Sequence, residues 1–198
     1  MKVSLVLALV LIANIALTAQ MAAAQEHQTW IAGAGFGGAL GVNEAITKPL
    51  GLAVRAEAVA FNSIVPGVSP EFGLSFFTVR SHEPNPANDY RTQLLAPDLR
   101  FRFSPRTTPL WFPYFFAGGG MAIFNVLQWP AATSPAAHLS DAVPFFTFGL
   151  GISHQITEQI GFDLNAGAAL ALTDDINPLH DGRNDGWWSG IASLYWIF

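Results

Sequence analysis

The ionisable residues of this chain recur at a spacing of two. Arg55 and Glu57 alternate with neutral neighbours, as do Asp98, Arg100 and Arg102, and Glu71 and Asp163 sit in stretches with the same rhythm. Side chains two apart on an extended strand share a face, so each of these groups projects with its own set to one side of a sheet. Their signs are mixed, and pairing is what makes a buried charge tolerable. The chemistry expected of Arg55, Glu57, Glu71, Asp98, Arg100, Arg102 and Asp163 is therefore a structural ion-pair network. Nucleophilic catalysis needs a nucleophile within reach of a base. Ser153 and His154 are adjacent in sequence, which sends them to opposite faces of a strand; no partner for Ser153 can be named. A final candidate is the run from Thr173 to Gly186, where Asp174, Asp175, Asp181, Asn184 and Asp185 offer hard oxygen ligands of the kind calcium takes. The spacing is not that of an EF-hand loop, and solvated loop carboxylates in capping and turn roles are the plainer reading. No cofactor and no metal are expected.

Composition says what kind of surface must carry these groups. Of 198 residues, 51% are hydrophobic and 12% charged, against about 25% charged in an ordinary soluble domain. Much of the surface should not face water. Yet after the amino terminus no apolar run approaches the roughly 18 residues of a membrane-spanning helix. The one continuous apolar run, Val3 to Ala19, follows Lys2 and leads to Met21-Ala22-Ala23-Ala24. A positive start, an apolar middle and a small-residue site are expected of a secretory signal peptide, assigned to 1–24, with the mature domain at 25–198. There is no cysteine, hence no disulfide framework and no lipid-anchored thiol near the cleavage site. Beyond the signal the only lysine is Lys48, and the net charge of the whole chain is −5, so no basic patch exists for a nucleic acid backbone.

Eight segments of about ten residues then show a period of two. The first, 29–41, is uncharged on both parities and rich in glycine on one. The second sets Leu52, Val54, Ala56, Ala58 and Ala60 against Arg55 and Glu57. The third, 71–80, sets Phe72, Leu74 and Phe76 against Glu71, Gly73 and Ser75. The fourth sets Leu95, Leu99, Phe101 and Phe103 against Asp98, Arg100 and Arg102, with Pro97 weakening the ladder. The fifth, 113–125, has no readable parity. The sixth alternates Phe146, Phe148, Leu150 and Ile152 with Thr147, Gly149, Gly151 and Ser153. The seventh alternates Ile160, Phe162, Leu164 and Leu170 with Gly161, Asp163, Asn165 and Thr173, and the eighth runs from Trp187 to Phe198. Connections at 65–70, 104–109 and 157–159 are compact. Those at 81–89, 126–142 and 174–186 are long, and the first outer connection, around 43–49, is the exception in being short. Segments of alternating hydrophobicity joined by alternately short and long connections are the pattern of a transmembrane β-barrel. The alternative, a soluble barrel of lipocalin type, would show charge outside and apolar residues inside. Here the polar parities are mostly Gly, Ala, Ser and Asn, which suits a narrow lumen. The fold expected is all-β: an eight-stranded antiparallel up-and-down transmembrane β-barrel, with the lumen filled by side chains. Trp30, Tyr114, Tyr195 and Trp196 at one end and Trp129, Trp187 and Trp188 at the other would form aromatic girdles.

The stretches 113–120 (Pro-Tyr-Phe-Phe-Ala-Gly-Gly-Gly), 146–151 (Phe-Thr-Phe-Gly-Leu-Gly) and 173–177 (Thr-Asp-Asp-Ile-Asn), with Asn184-Asp185, resemble small outer-membrane barrels of the OmpA transmembrane-domain type, particularly those of Bacteroidetes-like bacteria. The end of the chain, with Leu194, Trp196 and Phe198 in one register, resembles the signal read by the barrel-insertion machinery. The resemblance implies an integral outer-membrane location and as partners outer-membrane lipid, lipopolysaccharide and the insertion machinery; in a departure from full-length OmpA-like proteins, no periplasmic peptidoglycan-binding domain is expected. It names no activity. A non-catalytic structural or surface-interaction role is expected of a monomer, with a possible protein partner at the outer loops. The other candidate roles are an accessory barrel of a secretion or assembly complex, a narrow channel, and a lipid-modifying barrel enzyme, which would be expected to carry a His-x-Ser pair.

Overall fold

The computed structural model describes residues 29–41, 50–61, 67–80, 90–104, 111–128, 141–172, 176 and 185–198. The proposed signal peptide and Asp174, Asp175, Asp181, Asn184 and Trp129 lie outside the described residues. Eight strands follow in order: β1 Trp30–Gly41, β2 Gly51–Ala60, β3 Val68–Arg80, β4 Arg91–Phe103, β5 Trp111–Gln128, β6 Asp141–Gln155, β7 Ile160–Ala171 and β8 Gly186–Ile197. Each pairs with the next, and β1 closes on β8, giving one antiparallel barrel. Closure runs along eleven residue pairs from Ile31–Ile197 to Gly41–Trp187. Trp30 and Phe198 lock the seam through mutual backbone bonds of 3.3 and 2.9 Å. With no free edge, every strand has its ladder satisfied on both sides. Both chain ends of the barrel therefore lie at one rim, together with the β2–β3, β4–β5 and β6–β7 connections.

The wall sorts its residues as period two requires. Odd positions face the lumen in β1, β2, β3, β6, β7 and β8, and even positions do so in β4 and β5. In β5, where the sequence has no readable parity, Tyr114, Phe116, Ala122, Phe124 and Val126 are buried while Phe115, Met121, Ile123 and Leu127 are exposed. Glycines opposite large lumenal rings make room for them. A Cβ on Gly149 or Gly167 would meet the Phe116 ring, and one on Gly151 or Gly161 would meet Tyr114 or Tyr195.

Several strands reach further than their patterns announce. β3 begins at Val68, inside the stretch expected to turn, and its Pro70 faces outward, where a missing N–H is tolerable at a strand start. β4 begins at Arg91 and β5 continues to Gln128. β6 begins at Asp141, so residues 126–128 and 141–142 of the expected loop are strand. The aromatic girdle also needs correction. Tyr114, Tyr195 and Trp187 are 5%, 3% and 2% exposed and face the lumen, while Trp188 and Trp196 face out at 53% and 49%.

The lumen is stratified. Toward the rim opposite the termini it is apolar: Phe77, Val79, Leu94, Phe124, Val126, Phe145 and Trp187 form one buried cluster. Phe77 and Phe145 lie 5.5 and 5.2 Å from Trp187, ring centre to ring centre, within the range of favourable aromatic packing. Ile176, from the β7–β8 connection, belongs to the same cluster, and its carbonyl accepts a hydrogen bond from Thr92 Oγ1 at 3.2 Å. Below this plug lies the polar layer.

Candidate functional site

All seven charged residues singled out by the sequence meet in that layer. Arg55, from β2, is fully buried and sits at its centre. Its Nη1 and Nη2 donate to the two oxygens of Asp98 at 2.8 and 2.9 Å, a bidentate pairing across the barrel. Its Nε donates to Glu57 at 3.1 Å, Nη1 also to Ser75 Oγ at 2.8 Å, and Nη2 also to Glu71. Arg102 forms the second hub. Its Nε donates to Glu71 at 2.5 Å and its Nη1 to Asp163 at 3.2 Å, and its Nη2 lies 3.2 Å from Glu57. Arg100 donates to Asp98 at 3.1 Å and lies 4.6 Å over the Phe116 ring, while Arg102 lies 4.5 Å over Tyr114. These cation–ring contacts recover part of the hydration the guanidinium groups lose.

Asp163 is fully buried and receives the most neutral donors. Tyr114 Oη lies 2.8 and 2.9 Å from its two oxygens, Ser153 Oγ donates at 2.5 Å and Asn165 at 3.0 Å. Ser153 thus has a definite partner, which sequence reading left unnamed. Tyr114, Ser75 and Asn165 are further members that the charges alone do not reveal. The signal that could have found Asn165 and Ser75 is their parity, since each lies two residues from a charged or lumenal position.

His154 projects to the outer surface. Its ring lies tilted 4.1 Å from that of Trp111 and 5.3 Å from that of Phe162, centre to centre, also outward residues near the rim that holds the termini. The wall separates His154 from Ser153 and Asp163, so these three cannot act as a nucleophile, base and orienting acid. Asp185, the described member of the acidic loop, is buried. Among the described residues no three His, Asp or Glu side chains gather in a metal-binding arrangement. At the termini's rim a cavity of about 270 Å³ reaches the layer, where Arg102, Tyr114 and Ser153 line it, and apolar Ile31, Phe61 and Phe112 wall it.

The outer surface is apolar over the middle of the barrel. Phe36, Phe72, Phe115, Phe146, Phe148, Leu150, Leu164 and Leu194 are 47–72% exposed. Such a continuous surface is far larger than a soluble protein leaves in water, and it is the surface a bilayer covers. Leu194, Trp196 and Phe198 stand on this face at 53%, 49% and 62% exposure.

This geometry defines a class, the small eight-stranded transmembrane-type β-barrel. Solved structures of that class are similar to it. Neisserial surface protein A matches with a TM-score of 0.58 and 13% identity over 86% of this chain and 97% of that one. OprG of Pseudomonas aeruginosa matches at 0.55 and 14% over 86% and 96%. Ail, the attachment invasion locus protein of Yersinia pestis, matches at 0.51 and 11% over 87% and 99%. At these identities the likeness is one of fold. No protein-family model matches the sequence, and no curated protein is significantly similar to it.

Proposed function

We propose that the protein is a non-catalytic barrel of the bacterial outer membrane that works through its outer rim and surface, with its lumen filled. The observation that carries this reading is the stratified interior. An apolar plug closes one half, and an ionic layer cross-linked between strands spans the other, with a cavity of about 270 Å³ between it and the termini's rim. The apolar outer wall supports membrane residence, and the seam at Phe198 and the outward Trp196 and Leu194 support delivery by the insertion machinery. Similarity in fold to a Neisserial surface protein and to an attachment protein fits a surface role. The long β3–β4, β5–β6 and β7–β8 connections, at the rim opposite the termini, would then face outward and offer the contact surface.

The test is mild-detergent extraction of the tagged protein from outer membranes, followed by heat-dependent gel migration and conductance in planar bilayers. A heat-shifted band without conductance is expected. Recovery in the soluble periplasm would overturn membrane residence, and steady single-channel currents would replace the filled barrel by a channel. Stoichiometric co-purification of another envelope protein would instead assign the rim to an accessory role in a complex.

A further inference from the structure

Among the described outward-facing strand residues only two carry a formal charge, and they stand directly opposite each other. Arg80 closes β3, Arg91 opens β4, and the two are the last pair of that ladder. Like charges directly opposite across a ladder are destabilising. Neither side chain has a hydrogen bond or ion pair to any described residue, and Arg91 Nε is buried without a hydrogen-bond partner. The ladder is also irregular here. Thr92 pairs with Val126 and Arg91 with Gln128, leaving Leu127 as a bulge, a device that re-aims neighbouring side chains. The next outward residues inward along the wall are polar, Gln93 opposite both Thr78 and Asn125.

Height identifies the ligand's setting. On β4 the apolar outward set runs from Leu95 to Phe103, which is about 20 Å of barrel height at about 3.4 Å per residue and a tilt near 40°. Arg91 lies four residues beyond, roughly 10 Å above that belt by the same geometry. This is headgroup depth, at the rim opposite the termini. Two guanidinium forks at that depth, without a carboxylate among the described residues of the outer wall, match an anionic oxygen cluster.

We infer that Arg80 and Arg91 form a binding site for an anionic, phosphate-bearing lipid headgroup of the outer leaflet, with Gln93 and Asn125 at its lower edge. The lipid's phosphate would cancel the repulsion between the two cations. The inference rests on the membrane reading above and adds the lipid and its two ligands.

The experiment uses the full mature chain in phosphatidylcholine nanodiscs, with diphosphoryl lipid A added at low mole fraction, and counts bound lipid A by native mass spectrometry. Wild type should retain one lipid A, and R80Q/R91Q should lose affinity at least tenfold while keeping its heat-shifted band. R80K/R91K, which keeps charge but not the fork, should fall between. Lipid A stripped of its phosphates should bind no better to wild type than to R80Q/R91Q. Equal retention of diphosphoryl lipid A by folded R80Q/R91Q, or undiminished binding of the dephosphorylated lipid, would overturn the site. Full displacement by millimolar inorganic phosphate would reassign it to a soluble anion and overturn the lipid assignment. Failure of the chain to enter nanodiscs at all would strike the membrane reading instead, so the two failures are distinguishable.

Discussion

The guanidinium of Arg55 occupies the space where any side chain on Gly73 would begin. Gly73, on β3, pairs with Glu57 of β2, and a Cβ built on it would run into Nη1, Nη2 and Cζ of Arg55. The absence of that one carbon is what lets a fully buried arginine turn across the lumen and reach Asp98. Gly73→Ala should therefore act at a distance from the wall, displacing Arg55 from Asp98 and Glu71. Overpacking of this kind costs about 2 kcal/mol. The expected outcome is a lower midpoint for the heat-dependent gel shift with an unchanged strand signal by circular dichroism. A midpoint equal to that of wild type would mean that Arg55 has another equally good seat.

Removing the arginine itself should cost more than crowding it. Arg55→Met leaves Glu57, Glu71 and Asp98 without their main counter-charge inside a closed barrel. Breaking a buried pair on one side costs about 3–5 kcal/mol. Neutralising the partners as well, in R55M/E71Q/D98N, removes the uncompensated charge and should recover a substantial part of the loss. Urea titration of the barrel in vesicles reads both changes. A triple variant less stable than Arg55→Met would show that the carboxylates matter for more than pairing with Arg55.

Much of this layer was legible in the sequence because one parity was ionic. In β2, β4 and β7 the alternation of charged with apolar residues fixes which side faces the lumen, and all seven charges converge as their parities require. The outer half of the lumen offered no such contrast. There the barrel fills itself with Phe77, Leu94, Phe124, Val126, Phe145 and Trp187, so both faces are apolar and the period-two signal disappears. That is why β5 has no readable parity, why the start of β6 reads as loop, and why Trp187 reads as a girdle residue. The pairing of Arg80 with Arg91 was hidden for another reason. It depends on register across ten intervening residues, which no pattern within either strand specifies.

Neighbours on opposite faces should respond differently to the same substitution. Ser153→Ala removes a 2.5 Å hydrogen bond to the fully buried Asp163, and the loss of a bond to a buried charge costs about 2 kcal/mol. His154→Ala removes a ring packed against Trp111 at the outer surface, worth about 1 kcal/mol. Both variants should leave the lipid A mass profile of the outer membrane as wild type leaves it. A change in that profile on expressing wild type, abolished by either substitution, would revive a lipid-modifying activity.

The plug makes the sharpest statement about conduction. Trp187 is 2% exposed and packs between Phe77 and Phe145, so Trp187→Ala should cost about 4 kcal/mol through the cavity it leaves. It should not open the barrel, because Leu94 and Phe124, each fully buried, still fill the same level and the ionic layer lies beneath. Planar-bilayer recordings should therefore be silent for both wild type and Trp187→Ala, while the heat-shift midpoint falls in the variant alone. Currents in the variant but not in wild type would make Trp187 the single closing residue. Currents in wild type would mean that the apolar plug moves aside in the membrane, and the filled-lumen reading would fall with it.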